Sequence, residues 1–414
     1  MPSMIDNPPM NTAVVFPARQ TNSLGVIRSL GQKGIPVIGL DCQPQSVGFY
    51  SRYCRGLLCP DPLTDDQGFL EALVALGKEL ELPGVLFLMD DHLVLLATKY
   101  RAVLEKYYRF PFLDFAVAVN CLDKRQMYEI ACSLGIPVPH TIWPAEGREG
   151  LAIPEGFAYP CILKPAGKFA IRDGSPEQVY AFFRLYGKAI RVFSREELLR
   201  RLAEVTKLGF QVVIQEEIPG AASGLYSLGA YCNKEGQALA LFTGRKLRQL
   251  PPDFGTCTLA EACREPKLVE YGSRFLSAVG FWGIAEVEFK KDPRDGIFKF
   301  LEVNPRAWTW ISLATSCGVD LPLAAYLDLL DRPVPPLPQR EGAAKWTDLA
   351  KDVLCFLKYR RGGVGFPALS LREWLSALKG PKQDIYFARE DMLPGLMIPF
   401  QLLRSRFGKN RTSF

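Results

Sequence analysis

Histidine is almost missing from this chain: its 414 residues include only His92 and His140. Ser-His-Asp and Cys-His catalytic arrangements therefore find no support, and a histidine-based zinc site has too few ligands. Eleven cysteines are scattered from Cys42 onward with no Cys-x-x-Cys pair. That usage suits buried thiols in a reducing compartment and argues against a disulfide frame. No uninterrupted apolar run approaches the ~20 residues that span a bilayer, and "MPSMIDNPPMNTAVVFPARQ" has neither the basic start nor the long apolar stretch of a signal peptide. A cytoplasmic protein without a transmembrane segment is expected. Also missing are GxGxxG, GxxxxGK[ST] and the kinase signatures. Charge of one sign is scarce as well: 50 basic against 44 acidic residues leave a net +6. Small anionic ligands fit that balance, and nucleic acid is not implied.

What is present is enough apolar surface, 48% of residues, for a large core, and a length that favours two or three domains. "TAVVFPARQTNSLGVIRSLGQKGIPVIGLD" reads as strand, loop, amphipathic helix and strand, with Gly34 ending the helical pattern. Further strand and helix signals follow, so residues 1–120 are expected to form a doubly wound parallel α/β domain. Without a dinucleotide fingerprint, this domain reads as a scaffold or as a substrate-side element. A second, α+β unit begins with "CLDKRQMYEIACSLGIPVPHTIWP", a helix from Lys124 that stops at Gly135. In "SREELLRRLAEV", Ser194 and Glu197 have the spacing of a reciprocal capping box. The unit is expected to run to about residue 333. "VPPLP" at 334–338 resembles a linker to a C-terminal extension, 334–414. In that extension, "DMLPGLMIPFQLLRSRFGK" reads either as a weak interfacial membrane contact or as a tail docked on the core.

The chemistry gathers in "GIAEVEFKKDPRDGIFKFLEVNPR". Pairing Lys291 with Ile297 across the turn puts Glu286, Glu288, Glu302 and Asn304 on one face of a hairpin, and Ala285, Val287, Leu301 and Val303 on the other. Carboxylates so close repel by a few kcal/mol at an effective dielectric near ~20, unless a cation lies among them. A divalent metal with a preference for oxygen, such as Mg²⁺, resolves the conflict. Pairing with exposed lysines such as Lys290 and Lys299 resolves it too. Lys124 at a helix start, Lys164 at the end of an apolar strand, and the run Arg245, Lys246 and Arg248 are placed as phosphate contacts would be. Period two puts Lys246 and Arg248 on one strand face, where they either meet anionic groups or protect a solvated sheet edge. Arg306 is placed to meet a developing oxyanion, or to form a surface ion pair.

In order and spacing, "LDKRQMYEIACSLGIPVP", "YPCILKP", "VVIQEEIPG", "FTGRKLRQLPPDFG" and "EVEFKKDPRDGIFKFLEVNPRAW" resemble the ATP-grasp superfamily, in particular its carboxylate-amine ligases of the D-aspartate ligase type. The resemblance implies a two-part ATP-grasp fold after the first domain, with halves at about 121–215 and 216–333, and Mg²⁺ held by Glu288, Glu302 and Asn304 against ATP, which one of Lys246 and Arg248 would serve while the other reaches the carboxylate substrate. It further implies phosphate contacts from Lys124 and Lys164, and an adenine lined by Gln215, Glu216, Glu217 and Ile218. Two parts of the pattern depart: "KPAGKFAIRDGSPEQVYAFFRLYGKAIRVF" is poor in glycine, with Lys188 as a further phosphate contact, and "IPGAASGLYS" has no acid for a ribose. The implied reaction joins a carboxylate to an amine through an acyl phosphate, needing cations and positioning more than a protein nucleophile. The alternative is a non-catalytic ATP-binding regulatory or scaffold protein.

Overall fold

Unbroken Val, Ile and Leu runs form the first sheet, in which β1 (Ala13–Phe16), β2 (Val37–Asp41) and β4 (Gly84–Leu88) are buried at every position, as a parallel sheet covered on both faces requires. With β3 (Arg55–Leu58) and β5 (Tyr108–Arg109) the order is β3-β2-β1-β4-β5, all parallel. This is seen in a computed structural model that describes residues 10–144, 153–167, 176–340, 342, 344–363 and 368–398. The direction of winding reverses between β1 and β4, so their C-terminal ends open a crevice. Asp90 and Asp91 stand there, directly after β4.

A smaller antiparallel sheet follows: β6 (Thr141–Ile142), β7 (Cys161–Pro165), β8 (Ile190–Val192) and β9 (Val212–Glu216), in the order β6-β9-β7-β8. Leu163, Phe182, Val192, Leu198 and Ile214 fill its core. The helix Arg195–Lys207 is capped by Ser194, whose side chain accepts from Glu197 N. The capping is not reciprocal, because the Glu197 carboxylate reaches Phe193 N, one residue before the cap, at 2.9 Å.

The third sheet contains β10 (Leu225–Cys232), β11 (Ala238–Leu250), β12 (Thr256–Ala262), β13 (Gly283–Lys291), β14 (Phe298–Asn304), β15 (Lys345–Thr347) and β16 (Lys382–Asp384), ordered β14-β13-β10-β11-β12-β15-β16. Strands from beyond residue 333 thus continue the sheet that carries the acidic hairpin. Trp346 on β15 is fully buried, which anchors that addition. Its core merges with the first domain, where Leu24, Ile27 and Leu30 pack with Ile311, Leu313 and Leu321.

The C-terminal segment docks on the same core. Arg28, buried on the helix Thr21–Gly31, meets the Asp391 carboxylate at 2.8 Å and donates to the carbonyls of Ile385 and Tyr386. Of the two readings of this tail, a membrane contact is not supported, and docking is seen as far as residue 398 at Asp391, buried against Arg28, and at Ile398, packed on the core, while Met392, Leu393 and Leu396 are exposed. The rest of the segment lies outside the described residues. Among the described residues no helix is long and apolar enough to cross a membrane.

Candidate active site

The acidic hairpin forms with a register one step different at its turn. Lys291 pairs with Phe298, and after an irregularity at Leu301 the inner pairs are Glu288 with Glu302, Val287 with Val303 and Glu286 with Asn304. The displacement of the inner pairs from the expected register is even, so the acids still share one face. Val287 and Val303 are buried on the other.

A polar cluster holds this face together. Glu286 accepts from Ser227 Oγ at 2.8 Å and from Asn304 Nδ2 at 3.0 Å. Lys246 Nζ lies 2.9 Å from the Glu288 carboxylate. Burial, and then the charge of Glu288, push the Glu286 carboxyl up to about 7, against the pull of Lys246. Burial alone would depress the Lys246 ammonium, but the carboxylates of Glu288 and Glu286 outweigh it and hold the lysine charged. The two lysines considered as surface partners have other partners, although Lys290 also lines the cleft over this face. Lys290 donates to the carbonyls of Ile218 and Gly220, and Lys299 pairs with Asp295.

A cleft of about 390 Å³ lies over this face. It brings together Lys124, Lys164, Gln215, Glu216, Glu217, Ile218, Lys246, Glu288, Glu302, Asn304 and Arg306, with Lys188 at its edge. Lys124 comes from a helix start, Lys164 and Gln215–Ile218 from strand ends, and Lys246, Glu288 and Glu302 from within strands of the third sheet. Lys164 stands near the end of β7, 5.9 Å from the ring of Tyr128. Lys124 opens the helix Lys124–Ser133, whose cap Asp123 accepts from Gln126 N and whose backbone bridges Gly167. Gln215 is fixed by Tyr128 Oη at 2.9 Å and Thr141 Oγ1 at 2.8 Å, while Tyr128 donates to the carbonyl of Leu301. The carboxylates of Glu216 and Glu217 are engaged within the protein, the first by His140 N and Arg294, the second by both forks of Arg191.

Arg248 is the predicted site residue that does not line the cleft. A bulge between Lys246 and Arg248 on β11 breaks the expected period-two relation. The guanidinium instead makes a bidentate pair with Asp352, at 2.8 and 2.7 Å. Asp352 is fully buried and also accepts from Thr258 and Trp374. This correction rests on a partner from the C-terminal extension.

Other contributors were not read from the sequence. Asp90 and Asp91 line the cleft from the crevice of the first sheet, and Asp91 lies 2.9 Å from Arg306 Nε. Burial would depress the Arg306 charge, yet Asp91 and Asp90, followed by Glu286 and Glu302, sustain it. Their position directly after a parallel strand was the signal that could have found these two acids. Arg191 also reaches Asp253 at 3.5 Å and lies over Phe254, tying the small sheet to the loop after β11.

Glu288, Glu302 and Asn304 present an oxygen-donor set suited to a hard divalent cation. The amide nitrogen of Asn304 serves Glu286 and Glu288, so its oxygen is the atom that could serve a metal. The residues therefore fit Mg²⁺.

Comparison with known proteins gives a consistent picture. No protein-family model matches the chain. Over 269 residues it is 26% identical to a D-aspartate ligase of Enterococcus faecium (strain Aus0004), a match that spans 62% of this chain and 62% of that protein, less than two thirds of its length. Among solved structures it is similar to an L-amino acid ligase from Bacillus licheniformis, with TM-score 0.55 and 17% identity over 78% of this chain and 74% of that one. It is also similar to an N5-carboxyaminoimidazole synthetase from Staphylococcus aureus complexed with ADP, with TM-score 0.56 and 14% identity over 79% and 78% of the two chains. At such identities the structural likeness speaks for the fold.

Proposed function

For a chain with the ATP-grasp fold, and similar in sequence to a D-aspartate ligase, we propose ATP-dependent ligation of a carboxylate to an amine. The substrate carboxylate attacks the γ-phosphate of ATP, giving an acyl phosphate and ADP. The amine then attacks the acyl carbon, phosphate leaves, and an amide forms. The observation that carries this reading is the single cleft in which Lys124, Lys164, Lys246 and Arg306 face Glu288, Glu302 and Asn304.

Each group has a role that follows from its place. Ile218 packs on the adenine, and the strand end at Gln215–Ile218 offers backbone groups to its edge. Lys124 and Lys164 hold phosphate oxygens by charge-assisted hydrogen bonds. Lys246 balances Glu288 before the nucleotide arrives and turns to phosphate afterwards. Arg306, oriented by Asp91, stabilises the oxyanion that develops when the amine attacks. Mg²⁺, held by Glu288, Glu302 and Asn304, supplies charge neutralisation for phosphoryl transfer. The likeness to amino-acid ligases supports an amino acid as one of the two substrates. In this reading residues 1–120 form the substrate-side domain and 121–333 the nucleotide-binding domain, whose sheet is completed by strands from 334–414.

Phosphate release measured across pools of carboxylates and amines, with ATP and Mg²⁺, tests the proposal. Release that depends on both a carboxylate and an amine is expected. ATP binding without release for any pair would favour the non-catalytic alternative.

A further inference from the structure

The basic excess of the chain is confined to one end. Residues 334–414 carry fourteen Lys and Arg against seven Asp and Glu, a net +7, which leaves −1 for the preceding 333 residues. Three of the seven acids are buried in ion pairs: Asp352 with Arg248, Asp391 with Arg28, and Asp348 with Lys351. Their charge is turned inward, and the outer surface of this end is more basic than its composition.

The same surface is unusually apolar. On the helix Leu349–Tyr359, Asp352, Cys355 and Tyr359 face the sheet, and a helical repeat of 3.6 then puts Leu349, Val353, Leu357 and Leu354 on the outer side. All four are exposed, Leu357 by 54%. Phe356 meets Trp374 of the helix Leu371–Ala377 in a tilted ring contact, with centroids 5.1 Å apart, and Trp374 Nε1 donates to Asp352, so the two helices touch through Trp374. That second helix adds exposed Leu371 and Leu375. Lys358 and Arg372 on these helices, and Arg360, Arg361 and Lys379 just beyond their ends, are exposed, against one exposed acid, Glu373. A contiguous apolar stripe of this kind on a soluble chain marks an interaction surface.

We propose that the paired helices 349–359 and 371–377 dock on an anionic lipid bilayer, with the leucine stripe in the interface and the surrounding Lys and Arg on the headgroups. The combination of an apolar face with basic residues is what anionic membrane surfaces attract. A second copy of the chain fits less well, because two such surfaces would oppose like charges. The buried Arg248–Asp352 pair fastens this element to β11, two residues from Lys246. The inference is independent of the reaction proposed above.

Sedimentation of the full chain with vesicles tests it. Binding to vesicles of phosphatidylcholine and phosphatidylglycerol is expected, with loss at high salt and none to phosphatidylcholine alone. The variants V353S/L357S/L375S and K358E/R360E/R361E should each reduce the bound fraction about tenfold or more while leaving thermal unfolding and ATP binding as in the parent chain. Failure to bind anionic vesicles would overturn the proposal. So would binding that survives both variants but is lost in R404E/R406E, which would place the contact in the last residues. Concentration-dependent dimerisation abolished by V353S/L357S/L375S, without vesicle binding, would assign the stripe to a second copy.

Discussion

Removing the carboxylate of Asp352 leaves the Arg248 guanidinium buried without its counter-charge. Asp352 is fully buried and accepts four hydrogen bonds, from Arg248 Nε and Nη2, Thr258 Oγ1 and Trp374 Nε1, all between 2.7 and 2.9 Å. Breaking a buried pair from one side typically costs about 3 to 5 kcal/mol, most of it for the stranded charge. Asp352→Ala and Arg248→Ala should each lose an amount in that range, and the double variant should lose little more than either single one. Replacing both by apolar residues, as in Arg248→Met with Asp352→Leu, should recover most of the loss, since no charge is then stranded. Urea unfolding of the four variants, analysed as a double-mutant cycle, reads the coupling. If Arg248 instead contacts the carboxylate substrate, Arg248→Ala would raise that substrate's KM and leave the unfolding midpoint in place. That result would refute the structural role argued for Arg248.

Glu302→Gln should abolish Mg²⁺-dependent turnover while shifting the melting temperature of the nucleotide-free chain little, because an amide of similar shape replaces a half-buried carboxylate; turnover at the parent rate would remove Glu302 from the metal set. Lys164→Ala should weaken ATP and ADP by about 1.5 to 3 kcal/mol and spare adenosine, as calorimetry would show. Gly229→Ala should destabilise by about 1 to 3 kcal/mol, because its Cβ would stand 2.1 Å from a ring carbon of Trp308. Trp308 lies two residues after Arg306, so kcat should fall more than nucleotide affinity. Unchanged stability and kinetics in that variant would show that the ring has room to move.

Period-two alternation made the hairpin legible. Apolar residues at 285, 287 and 303 required one face for the core, and this demand fixes the acids on the other even though the expected pairing was displaced. The bulge at Leu301 restores the ladder after a single unpaired residue, and an even displacement moves no side chain to the opposite face. Lys164 was readable for a related reason: a cation at the end of an apolar strand has few structural uses. Asp91 was hidden because its partner, Arg306, is distant in sequence and belongs to another sheet's loop.

The failure at Arg248 shows where such reasoning stops. The alternation that served the hairpin predicts Lys246 and Arg248 on one face, and it holds only while the strand stays regular. Here the bulge at Leu247 turns the next residue away, and nothing in "GRKLRQ" signals it. The partner that makes the bulge tolerable is Asp352, 104 residues later, on the inner face of a helix whose outer face is apolar. A helix with apolar residues on its exposed side and an aspartate on its buried side inverts the usual pattern. The inversion follows from two demands at once: the buried guanidinium requires an acid inside, and the surface beyond the sheet requires leucines outside. Arg248 thus serves the attachment of the C-terminal element, and of this basic run Lys246 is the residue that lines the cleft.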